Sequence, residues 1–288
     1  MNTWYLIIGH LPFGWVHYTF MKNALLAVIL VTPVFGICGT MVVNNRMAFF
    51  SDAMGHAALT GVAIGVIMGM ENPLWAMLAF AALLATAIAW VHIKTDTSLD
   101  TVIGVFFAAT VALGVIILSR GGGFNKYSKY LIGDLLSITP AEIYLLLAVL
   151  IIVIVVWLFF FNRFFLVSFN PTIARSRGAN LALIELLFTI MLALIVTLCI
   201  RWVGVLIINS LLILPAAAAR NLTTSMRSYH LTAILISVVS GLVGLVLSFY
   251  WGTATGATIV WSSFIVYLGS ILWGAGKGKG THHTQGVS

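Results

Sequence analysis

The sequence predicts an all-α fold: a polytopic membrane protein with eight or nine transmembrane helices. Three observations predict it. First, 61% of the 288 residues are apolar and only 7% are charged, against about 25% charged in an ordinary soluble domain. Second, the apolar residues fall into repeated runs of the length a bilayer-spanning helix needs, about 20 residues. Third, the runs lack the alternating polarity of a membrane β-barrel strand. Backbone amides in lipid must pair within their own segment, so each run reads as a helix.

In chain order, the segment 1–22 holds Trp4, Tyr5, Trp15 and Tyr18, and its apolar stretch is broken by His10, Pro12 and His17. Aromatics of this kind suit the headgroup region, so the segment reads as interfacial. It has no small-residue cleavage site before Lys22 and does not read as a signal peptide. The expected spans are Ala24–Val43, Ala53–Met70, Leu74–Val91, Thr101–Ser119, Ile143–Phe161, Leu181–Ile200, Val203–Ala219, Leu231–Trp251 and Ala254–Trp273. The connections between them are short and leave no room for a soluble domain, so 1–288 reads as a single transmembrane domain. It carries a polar insert at 162–180 and a flexible tail at 274–288.

The chain has 14 Lys and Arg against 7 Asp and Glu. In a membrane protein such an excess marks cytoplasmic loops. No cluster is dense enough to follow a nucleic-acid backbone. The insert with Arg163, Arg175 and Arg177, the segment with Arg220 and Arg227, and the tail with Lys277 and Lys279 are therefore placed in the cytoplasm. Counting every run puts the N-terminus outside, together with the linker that carries Arg120, Lys126 and Lys129. A re-entrant segment near the front is the competing count. Cys38 and Cys199 lie in apolar runs and read as small apolar fillers.

Two spans carry unusual patterns. Ala57, Gly61, Gly65 and Gly69 recur every four residues and form a small-residue stripe that admits a close helix neighbour. That neighbour can belong to the same chain or to another subunit. Asn209, Ser210 and Pro215 interrupt a later run, and Pro215 there is either a hinge or a static kink.

Ionisable groups within spans are rare and costly, about 2.5–3.5 kcal/mol for a central Asp. Asp52 and His56 stand out. Four residues apart, they share one helix face and offer carboxylate and imidazole to a divalent cation. An internal Asp–His hydrogen bond, or Asp52 acting as a helix cap, is the structural alternative. Two ligands do not complete a zinc or manganese shell; two facing copies of the chain would supply two Asp and two His. Positive-inside counting sets Asp52 near the cytoplasmic end of its span, and a broken or re-entrant helix around Asn44–Gly55 would carry it deeper.

Other polar residues read more plainly. Glu185 caps or pairs at a helix start. His92 and His230 sit near span ends and are expected at the interface. Asp96 and Asp100 lie in a short polar linker that leads into a helix. His282 and His283 lie in the solvated Gly/Lys tail, which lacks phosphate-loop spacing. No nucleotide site is visible anywhere, so ATP-driven work would fall to another protein.

Four stretches carry a family resemblance: Arg46–Gly61 (RMAFFSDAMGHAALTG), Leu131–Ile138 (LIGDLLSI), Phe169–Asn180 (FNPTIARSRGAN) and Val203–Leu222 (VGVLIINSLLILPAAAARNL). In order and spacing they resemble the permease subunits of bacterial ABC importers for zinc, manganese and iron. Thr60 and the C-terminal tail depart from the family's pattern. The resemblance implies a homodimer in the bacterial plasma membrane, paired with two cytoplasmic ATP-binding subunits. An extracytoplasmic metal-binding lipoprotein or periplasmic protein would deliver the ion. It implies no permanently bound cofactor: the zinc, manganese or iron is cargo, and ATP hydrolysis lies on the separate subunits. Asp52 and His56 match positions implicated in metal passage. Asn170, Pro171, Ala174, Arg175 and Gly178 match the segment that docks into the ATPase. Pro171 at a helix start and Gly178 at a helix end agree with that reading. A proton-coupled secondary metal transporter, with Asp52 and His56 as a proton relay, and a non-transporting membrane scaffold are the alternatives from other classes.

Overall fold

The computed structural model describes residues 2–9, 12, 14–70, 72–95, 97–121, 133, 135–169, 171–178 and 180–278. Of the residues singled out above, His10, Asp96, Lys126, Lys129, Leu131, Asp134, Asn170, Lys279, His282 and His283 lie outside them. The chain forms helices α1 (Asn2–Gly9), α2 (Thr19–Asn44), α3 (Phe50–Ile67), α4 (Leu74–Lys94), α5 (Leu99–Gly121), α6 (Pro140–Phe169), α7 (Pro171–Ser176), α8 (Leu181–Val203), α9 (Val205–Leu222), α10 (Met226–Trp251) and α11 (Thr255–Gly278). Short 3₁₀ turns at Gly14–His17 and Leu135–Ser137 precede α2 and α6. Nine helices among the described residues, all but α1 and α7, are long and apolar enough to cross a membrane.

Several boundaries differ from the expected spans, each for a local reason. The front of α2 begins at Thr19 because α1 folds back on it. Trp4 Nε1 donates to the Lys22 carbonyl at 3.0 Å, and Tyr5 Oη donates to Asn23 Oδ1 at 2.7 Å. Trp15 is buried and does not sit among the headgroup-facing aromatics. The insert expected from 162 to 180 is helical over its first part. Residues 163–169 contain no breaker, and α6 runs on until Pro171, whose ring disfavours a helical residue before it. At the other side of α8, a single residue divides two spans. Gly204, at φ +84°, is the whole connection between α8 and α9. Gly133 crosses so close to it that a Cβ on Gly133 would overlap the Gly204 backbone.

The bundle is organised around α2 and α3, whose spanning windows are 78% and 72% buried, against 22% for α5 and 28% for α6 and α11. One group packs α2 with α9 and α10, and α11 covers α9 and α10. The other packs α3 with α4 and α5, while α8 lies on α4. Helix α6 joins them through α2 and α8. Small residues set the closest approaches, as expected where lipid removes the hydrophobic drive between helices and dispersion must bind them. A Cβ on Gly39 would overlap the Leu212 carbonyl of α9. The outer helices turn large apolar side chains such as Leu158, Phe159 and Leu272 outward, where lipid tails accept them.

Among the described residues, eight of the 11 Lys and Arg fall at the end that holds Arg46, Lys94, Arg175, Arg220 and Lys277. That end is assigned to the cytoplasm.

Candidate functional site

The turn between α2 and α3 brings the site about. Helix α2 ends at Asn44, and Arg46 adopts the left-handed conformation at φ +57°, which reverses the chain. Met47 then donates its N–H back to the Val42 carbonyl at 2.9 Å. Met47 and Phe50 are completely buried, so this apolar return carries the chain into the bundle before α3 starts. Arg46 lines a cavity at the cytoplasmic end together with Glu185, near the start of α8. Asp52 lines a different cavity with Val203, at the far end of α8. Glu185 and Val203 are 18 residues apart on one helix, about 27 Å along its axis. The chain thus breaks between Asn44 and Phe50, and Asp52 lies well inside the bundle rather than at the cytoplasmic rim.

Asp52 sits in the first turn of α3. Asn209 Nδ2 donates to Asp52 Oδ1 at 2.8 Å, and Ser51 Oγ donates to Asn209 Oδ1 in a short hydrogen bond. The amide thereby ties two adjacent residues of α3 to α9. No side-chain capping bond is made at the start of α3, so the capping role considered for Asp52 is absent; its carboxylate points to Asn209 instead. The cavity beside it holds about 600 Å³ and is lined by Asp52, Asn209, Gly133, Val205, Leu136 and Thr255, among others. Gly133, Thr253 and Ala254 come from connections at the end of the bundle opposite Arg46. The carboxylate is therefore approached from the extracytoplasmic side.

His56 lies one turn further along α3, half-buried, with its ring edge-on to Phe107 at 5.1 Å. It does not line the Asp52 cavity. Its carbonyl receives Thr60 Oγ1 at 3.5 Å, and the same hydroxyl reaches the Thr110 carbonyl of α5 at 2.9 Å. Among the described residues, no group of three or more His, Cys, Asp or Glu converges to hold a metal ion. Asp52 and His56 thus lie one turn apart on α3, and of the two only Asp52 lines the cavity.

The small-residue stripe packs within the chain. Ala57 is fully buried. A Cβ on Gly61 would lie 2.7 Å from Met77 Cα, and one on Gly65 would meet Ala76 and Pro73, so both face α4. Gly69 follows the helix end at φ +70°, the usual left-handed cap. Pro215 lies buried inside α9, which continues through it.

At the cytoplasmic end, α7 begins at Pro171, and Gly178 at φ +73° follows its last turn, donating to the Arg175 carbonyl at 3.0 Å. Ala174 is fully buried against the bundle, and Arg175 is exposed. Asn180 then caps α8 by accepting from Leu183 N at 3.2 Å. Glu185 does pair near this helix start, with His92 Nε2 at 3.4 Å.

His230 corrects the interfacial expectation. It is buried, with Nδ1 2.7 Å from Thr40 Oγ1, and packs edge-on against Trp157 and Phe161. Helices α2, α6 and α10 converge there, so a position near a span end is covered by protein rather than headgroups. Sequence reasoning also missed Asn209 as the partner of Asp52. The available signal was a strong polar amide inside an apolar run, which was read as an interruption rather than as half of a pair.

Nine spanning helices among the described residues, with a broken start to α3 and a carboxylate–amide–hydroxyl network inside the bundle, define a multi-pass plasma-membrane protein built around an internal polar site. The model of the ABC 3 transport family matches residues 17–274; the chain belongs to that family. It is 30% identical over 265 residues to the manganese transport system membrane protein MntC of Listeria monocytogenes, covering 92% of this chain and 94% of that protein. It is 32% identical over 250 residues to the high-affinity zinc uptake system membrane protein ZnuB of Haemophilus influenzae, covering 86% and 95%. Among solved structures, PsaBC from Streptococcus pneumoniae in complex with Fab shares the fold at a TM-score of 0.76 and 24% identity, over 94% of this chain and 95% of that one.

Proposed function

We propose that the chain is the membrane-spanning permease subunit of an ATP-driven importer of divalent transition metal, zinc or manganese. Two relatives matched along nearly their whole length are named for manganese and zinc transport; none of the relatives cited is named for iron. The observation that carries the reading is Asp52, oriented by Asn209 inside the bundle at a cavity directed away from the cytoplasm. A carboxylate is kept there at a cost, and its pairing with a neutral amide leaves its charge for a cation. Nothing favours the proton-coupled alternative.

In this reading Asp52 and His56 ligate the cargo transiently. Ligation must replace part of the ion's hydration yet permit release. A second copy of the chain supplies the remaining ligands. ATP is hydrolysed on two separate cytoplasmic subunits, which grip the segment Asn170–Gly178 with Pro171, Ala174 and Arg175. An extracytoplasmic metal-binding lipoprotein or periplasmic protein delivers the ion. The buried Pro215 would act as a hinge in α9.

The test is uptake of radiolabelled manganese and zinc in cells that depend on this chain. Asp52→Ala and His56→Ala, expressed at wild-type level, should each reduce uptake at least tenfold. Wild-type uptake in both variants would sink the site.

A further inference from the structure

Near the cytoplasmic end, His92 of α4 faces Glu185 of α8 across a cavity of about 670 Å³ that Arg46, Asp100 and Arg175 also line. The ring's orientation is settled by its other nitrogen. His92 Nδ1 lies 3.0 Å from the Thr97 carbonyl. A carbonyl has no proton to give, so Nδ1 carries the hydrogen, and in the neutral ring Nε2 presents a lone pair. This is the arrangement that orients metal-ligating histidines, with the far N–H tied to a backbone oxygen.

A carboxylate stands beside this nitrogen. Glu185 Oε1 stands 3.4 Å from His92 Nε2, yet it is shielded from solvent and has no hydrogen-bond partner. Two donor atoms at this separation match adjacent ligands of one ion, on which both lone pairs would converge. Metal–nitrogen and metal–oxygen bonds of about 2.1 Å at a tetrahedral angle separate the ligands by about 3.4 Å. A simple imidazolium–carboxylate pair would account for the proximity. It would be worth little with both side chains about a quarter to a third exposed.

We infer that His92 and Glu185 form a second, inner station for a divalent transition-metal ion at the cytoplasmic mouth of the bundle. This rests on the reading of the chain as a metal permease, and it concerns residues well removed from Asp52. Imidazole with carboxylate suits zinc and manganese alike. With two protein ligands the rest of the shell is water, for which the cavity has room, and the exposed carboxylate of Asp100 lies within the same cavity. Arg46 and Arg175 place positive charge in that cavity, which shortens the ion's stay. The station releases rather than stores.

The probe is Co²⁺, bound to the full chain in lipid nanodiscs and followed by equilibrium dialysis and its visible ligand-field bands. Every protein carries His282→Ala and His283→Ala, so the tail imidazoles do not contribute. Asp52→Ala/His56→Ala should retain one Co²⁺ per chain with a nitrogen-shifted spectrum. Adding either Glu185→Gln or His92→Gln should weaken that binding at least tenfold without changing the elution volume or the unfolding temperature by more than a few degrees. The inference is overturned if Asp52→Ala/His56→Ala binds no more Co²⁺ than empty nanodiscs, or if its binding survives both added substitutions. Binding in the parent protein that disappears with Asp52→Ala alone would leave the proposed function standing and remove the inner station. Binding that depends on Glu185 but is indifferent to Asp52 would do the reverse.

Discussion

Asn209 of α9 donates its amide hydrogen to Asp52 of α3 at 2.8 Å, and the same side chain accepts from Ser51. The two partners are 157 residues apart in the chain. One amide therefore holds both the position of the carboxylate and the start of the broken helix, with neither charge nor proton to contribute itself.

Replacing Asn209 by Leu keeps the branched shape in a larger side chain and removes both bonds. The half-buried carboxylate and the buried Ser51 hydroxyl then lose their partner, which costs about 1–3 kcal/mol. Metal affinity should fall about 10–100-fold, the usual effect of losing a group that orients a ligand. Thermal unfolding in detergent reads the first effect and concentration-dependent uptake the second. If stability drops while uptake keeps its concentration dependence, Asn209 supports the fold alone.

Gly39 and Gly61 are expected to be intolerant for a different reason. A methyl on Gly39 would enter the Leu212 carbonyl, and one on Gly61 would approach Met77 Cα to 2.7 Å. Both contacts are with backbone, so whole helices must separate. Overpacking of this kind costs about 1–3 kcal/mol or more. Gly69 has nothing within 4 Å, so Gly69→Ala meets only its left-handed backbone, about 1–2 kcal/mol. Unfolding temperatures should rank Gly69→Ala above Gly61→Ala and Gly39→Ala; the opposite order would contradict the helix contacts.

Thr40 and His230 make a further pair inside the bundle. Thr40 Oγ1 donates to the Ile37 carbonyl at 2.8 Å, so toward His230 Nδ1 it accepts. Thr40→Val deletes the acceptor and leaves a buried N–H unpaired, at about 1–3 kcal/mol. Thr40→Ser keeps the oxygen and should be close to wild type. Equal destabilisation by both would show that the Thr40 methyl, not the hydrogen bond, matters.

The fold was legible because the bilayer makes hydrophobicity nearly sufficient: a run of about 20 apolar residues has one regular way to satisfy its backbone. All nine expected spans overlap the nine long helices. Their ends were less legible. Residues 163–169 are apolar enough to continue α6, and only Pro171 stops them. The site was half legible. Asp52 and His56 lie within one helix, where the four-residue period gives their relation directly. Asn209 reaches Asp52 only through the α3–α9 contact, and that contact depends on the return at 45–49. No local pattern encodes such a crossing. His230 failed similarly: proximity to a span end does not say whether lipid headgroups or another helix will cover it.

The short helix α7 gives the last prediction. Ala174 is fully buried where α7 meets α6 and α8, while Arg175 beside it is exposed. If an ATP-binding subunit grips this segment, the two residues fail in distinguishable ways. Arg175→Glu reverses a charge on the presented face and leaves the seating of α7 intact. It should lower co-purification of the ATP-binding subunit several-fold, more steeply at high salt where the remaining charge contacts are screened. Unfolding temperature and Asp52-dependent Co²⁺ binding should not change. Ala174→Gln instead forces a polar chain into a filled seat, so co-purification and unfolding temperature should fall together. Normal co-purification of Arg175→Glu at every salt concentration would remove Arg175 from the docking surface. Normal co-purification of both variants would remove α7 from the interface, however closely its sequence matches a coupling segment.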